Sequence, residues 1–168
     1  MPSATIQELI EILRDQQLLI RKKKVTTGFD GFVDTIVRIV KTKQEAETQV
    51  FSHIEEFGRY ITSKSGSSFA LETEEKNVKM GGNMPIMANS LGRLSVSVNC
   101  IGALGYPAIH PIFNSMPVVC KQYSFCDPGT ATAFEFEDGK IILAQMGALN
   151  TTGWQVIKQT IGTDRLAQ

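Results

Sequence analysis

The sequence lacks the features that mark several large classes of protein. It contains no apolar run approaching the roughly 20 residues that span a bilayer, and its N-terminal segment carries acidic side chains without an apolar signal core. Lys plus Arg and Asp plus Glu both number 17, so there is no basic excess of the kind that binds nucleic acid. We therefore expect neither a membrane nor a nucleic acid as partner.

Cysteine is too sparse for a disulfide framework. Cys100, Cys120 and Cys126 are the three cysteines, no Cys-x-x-Cys occurs, and the two histidines are distant from them in sequence. An odd number of unpatterned cysteines is typical of a reducing compartment, so we expect a cytoplasmic protein. The same spacing disfavours a zinc site, and no metal ligand is predicted.

The residues that are present predict an α/β protein. Hydrophobic residues make up 42% and charged residues 20% of the chain, which suffices for a packed core. Apolar periodicity predicts helices over 4–23, 50–63 and 84–94 and a last one beginning near Thr152. Runs rich in β-branched residues predict strands at 25–29, 32–40, 96–102 and 118–125, and a charged strand at 69–80. Asp138-Gly139 between 131–136 and 141–145 predicts a hairpin.

Four segments, taken in order, resemble the N-terminal half of the ribokinase-like (PfkB) carbohydrate kinases. They are GFDGFVDTIV at 28–37, GGNMPIMANSLGRL at 81–94, IGALGYPAIHPIF at 101–113 and PGTATAFEFEDGKIILAQMGALN at 128–150. The resemblance implies a partial parallel, Rossmann-like core with a small antiparallel β lid, whose strands lie near 69–80 and 131–146. Ile86 stands where the family has an asparagine, and Tyr106-Pro107 replaces paired aspartates, so the sugar is left open.

The resemblance also implies which residues bind substrate. Asp34, and secondly Asp30, match the loop whose aspartate binds sugar hydroxyls in the family. Carboxylates suit this role because they accept two hydrogen bonds at once. The plainer interpretation of Asp30 is that it ends a strand at a glycine-flanked turn.

The diglycine segment has two interpretations that are compatible with each other. Gly81, Gly82 and Asn83 are candidates for substrate contact, because glycine lets a ligand approach the backbone and a helix N-terminus binds oxygen. Alternatively, Asn83 and Pro85 are simply residues that favour the start of a helix.

The hairpin resembles the family lid, which covers the sugar and commonly pairs into dimers. A homodimer through the lid strands is therefore expected, and a plain hairpin on a monomer is the alternative. Asn150, which follows Gly147-Ala148, is a further candidate for substrate contact by the same resemblance. The substrate implied is a sugar or a nucleoside-like small molecule.

The family catalyses phosphoryl transfer with a Gly-Ala-Gly-Asp-like motif, and no Gly-x-Gly-Asp or Walker-type segment occurs in this sequence. We therefore predict no catalytic residue and interpret 1–168 as the N-terminal portion of a kinase domain whose nucleotide-binding half is absent. ATP or ADP with Mg is implied for the complete enzyme and no cofactor for this chain, which alone should phosphorylate no sugar. Two alternatives are a non-catalytic sugar-binding or dimerisation module and an unrelated α/β nucleotide-binding protein.

Overall fold

A computed structural model describes residues 2–44 and 47–166. The helices are α1 (Pro2–Arg21), α2 (Ile54–Ser63), α3 (Asn83–Arg93), α4 (Trp154–Ile161) and α5 (Thr163–Leu166). The strands are β1 (Lys24–Phe29), β2 (Phe32–Gln44), β3 (Glu47–Val50), β4 (Thr73–Gly81), β5 (Ser97–Gly102), β6 (Cys120–Ser124), β7 (Gly129–Phe136) and β8 (Gly139–Gln145). Short 3-10 helices cover Pro111–Ser115 and Gly147–Asn150.

The strands form two sheets, which confirms the predicted α/β class. A three-stranded parallel sheet has the order β1-β5-β6. A five-stranded sheet joins β3, β2, β7 and β8 in that order, with β4 also paired to β2. The second sheet is mixed, because β2 and β7 run parallel while the other pairs are antiparallel. We call this second sheet the lid sheet.

The parallel sheet owes its packing to α3. Apolar residues of β5, including Val98 and Cys100, are fully buried together with Met84 and Ala88 of α3. Burial raises the pKa of the Cys100 thiol to about 12, so this cysteine is a packing residue rather than a nucleophile. The short helix Pro111–Ser115 adds the buried Phe113 to the same cluster.

One face of the lid sheet is covered by α2. Phe57 of this helix packs against Phe51 and Phe136, with ring centroids 5.3 and 5.6 Å apart, and Ile39 of β2 completes the cluster. Asp138 in the β7–β8 turn accepts a 3.0 Å hydrogen bond from the backbone N–H of Ile54 at the start of α2. This contact ties the hairpin tip to the helix. No helix of the described residues packs on the opposite face of the lid sheet, so that sheet has one packed face and one face without a helix.

The helix predicted over 4–23 is α1, Pro2–Arg21, and its apolar side chains are largely exposed. The amphipathic pattern is present, yet Ile6, Leu9, Leu13 and Leu19 are all more than half exposed. No helix among the described residues is long and apolar enough to cross a membrane.

Candidate functional site

The candidate residues gather at one end of the lid sheet. There β2 begins, β4 ends, β7 begins and β8 ends, because Phe32 pairs with both Gly81 and Gly129, and Thr130 pairs with Gln145. Strand β1 ends at Phe29, directly before β2. The carboxyl end of the parallel sheet therefore meets this end of the lid sheet, and ligands of α/β proteins bind beside carboxyl strand ends.

Asp30 holds the start of α3. Its carboxylate accepts hydrogen bonds of 2.7 Å from the backbone N–H groups of both Asn83 and Met84. The N-cap of α3 is Gly82, which has no side chain with which to cap the helix. Asp30 supplies the missing acceptor from a different loop and adds a negative charge at the positive end of the helix. The predicted sugar contact of Asp30 stays a prediction, and its observed partners are backbone amides.

Gly82 is required by its backbone conformation and by its surroundings. Its φ is 90°, a value that disfavours any residue with a Cβ, and a Cβ here would lie 3.0 Å from Asp30 Oδ2. The glycine therefore allows the Asp30 carboxylate to reach the first turn of α3.

Asp34 stands beside the diglycine with a different environment. It lies in β2, it is half-buried, and its carboxylate packs against Gly81, where a Cβ would overlap both carboxylate oxygens. Among residues 2–44 and 47–166, no side chain or backbone group donates a hydrogen bond to the Asp34 carboxylate within 3.5 Å. A half-buried carboxylate without a partner has acceptor sites to offer to a ligand.

The two asparagines are exposed and less constrained. Asn83 is tied by its backbone N–H to Asp30, and its side chain makes no hydrogen bond within the described parts of the chain. Asn150 ends the short helix after β8. This helix follows the end of β8, at the same end of the lid sheet as Asp34, but no contact joins Asn150 to the other candidates in the ranges described. The roles of both asparagines stay predictions.

Two features of the site were missed by sequence reasoning. Lys79 of β4 is the direct cross-strand neighbour of Asp34, and Ala131 of β7 is its neighbour on the other side. The second missed feature is the contact by which the Asp30 carboxylate caps the start of α3. Both contacts join segments more than 40 positions apart, so spacing along the chain does not indicate them. The contact between Asp34 and Lys79 follows only from the order in which the strands pair.

The face of the lid sheet that carries Asp34 is rich in cations farther along. Glu135 of β7 binds Lys140 at 3.0 Å and lies 3.8 Å from Lys76. The hydrogen bond from Lys140 and the charges of Lys140, Lys76 and Arg38 lower the pKa of the Glu135 carboxyl. Glu135 thus offsets part of the positive charge of Lys140, Lys76 and Arg38.

The family resemblance implies a nucleotide with Mg, and Mg is held by oxygen ligands such as carboxylates. Within 2–44 and 47–166 there is no group of three or more His, Cys, Asp or Glu side chains that could hold a metal ion. Of the two acidic residues at the site, Asp30 already binds two amides and Asp34 stands alone. These two carboxylates therefore do not fit a Mg–nucleotide complex.

Comparison with known proteins shows the family to which the chain belongs, and it finds relatives that the chain covers only in part. The model of the family described as prokaryotic ketohexokinase matches residues 3–168. The ketohexokinase of Haloferax volcanii is 30% identical over 151 residues, which represent 86% of this chain and 39% of that protein. The chain thus spans well under half of this relative.

Solved structures with partial similarity are also kinases by name. A carbohydrate kinase from Agrobacterium tumefaciens aligns with a TM-score of 0.45 and 18% identity, covering 73% of this chain and 35% of that one. A nucleoside kinase of the ribokinase family from Methanocaldococcus jannaschii aligns with a TM-score of 0.41 and 16% identity, covering 76% and 38%.

Proposed function

Because the chain belongs to the prokaryotic ketohexokinase family, whose members are ribokinase-type sugar kinases, we propose that it carries the sugar site and the lid of an enzyme that phosphorylates a ketohexose. The observation that carries the proposal is the Asp34 carboxylate, which is half-buried against Gly81 and has no hydrogen-bond partner among the described residues. Two adjacent sugar hydroxyls match the two oxygens of such a carboxylate.

These contacts give Asp30 and Asp34 different roles at the proposed site. Asp30 fixes the first turn of α3 against the β1–β2 loop, so that Gly81 and Gly82 stay beside Asp34. Asp34 accepts from the sugar hydroxyls and so fixes the orientation of the ring. Transfer of the phosphoryl group from ATP or ADP with Mg is proposed for the complete enzyme, in which the lid excludes water from the reacting hydroxyl.

Sugar binding by the 168-residue chain tests the proposal. We expect D-fructose to bind in isothermal titration, and Asp34→Asn to weaken binding by about ten- to a hundredfold, the effect of losing a charge-assisted hydrogen bond. Glu74→Gln is the matched control, because Glu74 is an exposed carboxylate of the same sheet and its change should alter the dissociation constant less than twofold.

The other outcomes of this titration count against the proposal. Equal affinity of the wild type and Asp34→Asn for D-fructose would remove Asp34 from the site. Tighter binding of a nucleoside such as adenosine than of any ketohexose would move the substrate class from sugars to nucleosides.

A homodimer through the lid strands is the second part of the proposal. On the face without a helix, the cross-strand row through Ile36 and Ala133 continues to Ile142, which is 61% exposed. Strands β4 and β8 also leave an edge unpaired within the described residues, and unpaired edges favour association.

Sedimentation of two lysine variants tests the dimer. We expect the wild-type chain to sediment as a dimer and Ile142→Lys as a monomer, since a buried ammonium without a partner opposes the contact. Leu143→Lys is the control, because Leu143 is equally exposed at 58% but points to the opposite face of β8. A wild-type monomer at 100 µM, or an equal effect of both variants, contradicts this interface.

A further inference from the structure

We propose that Lys79 contacts the sugar and is a specificity-determining residue of the site, donating hydrogen bonds to the sugar oxygens next to those that bind Asp34. The inference rests on the proposed sugar site and deepens it. A neutral ketohexose would then have two charged contacts of opposite sign: Asp34, which accepts hydrogen bonds, and Lys79, which donates them.

The position of Lys79 follows from the strand register. Lys79 of β4 and Asp34 of β2 are directly paired in an antiparallel ladder, so both side chains project from the same face of the sheet. Their Cβ atoms are therefore about 4.5–5.5 Å apart. Two residues after Lys79, β4 ends at Gly81, the residue on which the Asp34 carboxylate packs. Lys79 thus borders the carboxylate that the sugar is proposed to bind.

Lys79 has no ion-pair partner among the residues that the structure describes, which distinguishes it from Lys76 and Lys140 of the same face. Lys76 and Lys140 both lie within 4.0 Å of Glu135. Within residues 2–44 and 47–166, no carboxylate oxygen lies within 4.0 Å of Lys79 Nζ, and the side chain is exposed. Its cross-strand neighbour Asp34 is half-buried against Gly81 instead of extending to meet it. An ammonium and a carboxylate that are adjacent but not joined leave both free to bind a ligand.

The chemistry of the pair is complementary to a polyol. An ammonium has three donors and no acceptor, and a carboxylate has only acceptors. A sugar hydroxyl donates its proton to Asp34, while the lone pairs of a neighbouring sugar oxygen accept from Lys79. On the other side of Asp34, the paired residues Ala131 and Ala144 carry only methyl groups. These small side chains leave room for the sugar ring above the sheet.

Titration of D-fructose into three lysine variants of the 168-residue chain tests the inference. Lys79→Met keeps the length of the side chain and removes its donors, so we expect about tenfold weaker binding, the loss of one charged hydrogen bond. Lys79→Arg keeps donors and charge and should stay within about threefold of the wild type. Lys76→Met is the matched control on the same strand, and its dissociation constant should change less than twofold.

The results separate failure of this inference from failure of the proposed function. Wild-type affinity in Lys79→Met, together with weak binding in Asp34→Asn, overturns the role of Lys79 and leaves the sugar site standing. Wild-type affinity in Asp34→Asn overturns the sugar site itself, and absence of ketohexose binding by the wild-type chain overturns both. Gluconate, a sugar acid, tests for an anionic ligand. If Lys79→Met binds gluconate more weakly than the wild type does but binds fructose equally well, the assignment of Lys79 to a neutral sugar is overturned.

Discussion

Replacing Asp30 by alanine is expected to lower the free energy of unfolding by about 2–4 kcal/mol. The side chain accepts two short hydrogen bonds from the backbone of Asn83 and Met84, and Met84 is buried. Without the carboxylate, the first turn of α3 loses its cap, and at least one backbone donor is left in a site that water reaches poorly. Urea unfolding, followed by far-ultraviolet circular dichroism, measures the change.

Two further substitutions identify the cause of this effect. Asp30→Asn keeps a single acceptor oxygen and faces the second N–H with its own amide donors, so its stability should fall between those of the wild type and the alanine variant. Asp34→Asn breaks no hydrogen bond of the described residues and should change the free energy of unfolding by less than about 0.5 kcal/mol. An alanine variant of Asp30 as stable as the wild type would show that the cap is not needed.

These expectations separate two acidic residues that look alike in the sequence. Both lie in the segment GFDGFVD, and both were predicted to bind sugar. The Asp30 carboxylate accepts hydrogen bonds from two backbone N–H groups, whereas the Asp34 carboxylate accepts none from the described residues. A loss of stability should therefore follow changes at Asp30, and a loss of affinity should follow changes at Asp34.

The sequence predicted the elements better than it predicted their contacts. The helix predicted at 84–94 is α3, Asn83–Arg93, because apolar spacing and Pro85 both mark its first turn. The charged strand predicted at 69–80 is β4, Thr73–Gly81, and the hairpin around Asp138-Gly139 is β7–β8. Local patterns sufficed for these elements since their signals lie within a few residues of one another.

What could not be predicted depends on distant segments. Strand β2 extends to Gln44, beyond the predicted end at Val40, because its last residues pair with β3, which has only four residues and gave no pattern of its own. The pairing of β2 with β4 and β7 sets Asp34 between Lys79 and Ala131. No sequence spacing specifies this order of strands, so the residues around Asp34 became visible only in the folded chain.

Replacing Gly81 by alanine is expected to abolish high-affinity sugar binding, because the added Cβ would occupy the space of the Asp34 carboxylate. Gly81 is a buried residue paired with Phe32, so the backbone of β4 has little freedom to retreat. Asp34 must rotate away, which should weaken D-fructose binding at least tenfold and, as with other overpacked sites, cost about 1–3 kcal/mol of stability.

The same substitution at Gly58 gives the matched control. Gly58 lies within α2, is exposed, and a Cβ there would meet no atom within 4 Å. Gly58→Ala should therefore stabilise the helix by up to about 1 kcal/mol and leave sugar affinity unchanged. Calorimetric unfolding and fructose titration of both variants measure these opposite effects. Normal fructose affinity in Gly81→Ala would mean that the sugar does not depend on where the Asp34 carboxylate lies, and the site would have to be sought elsewhere on the lid sheet.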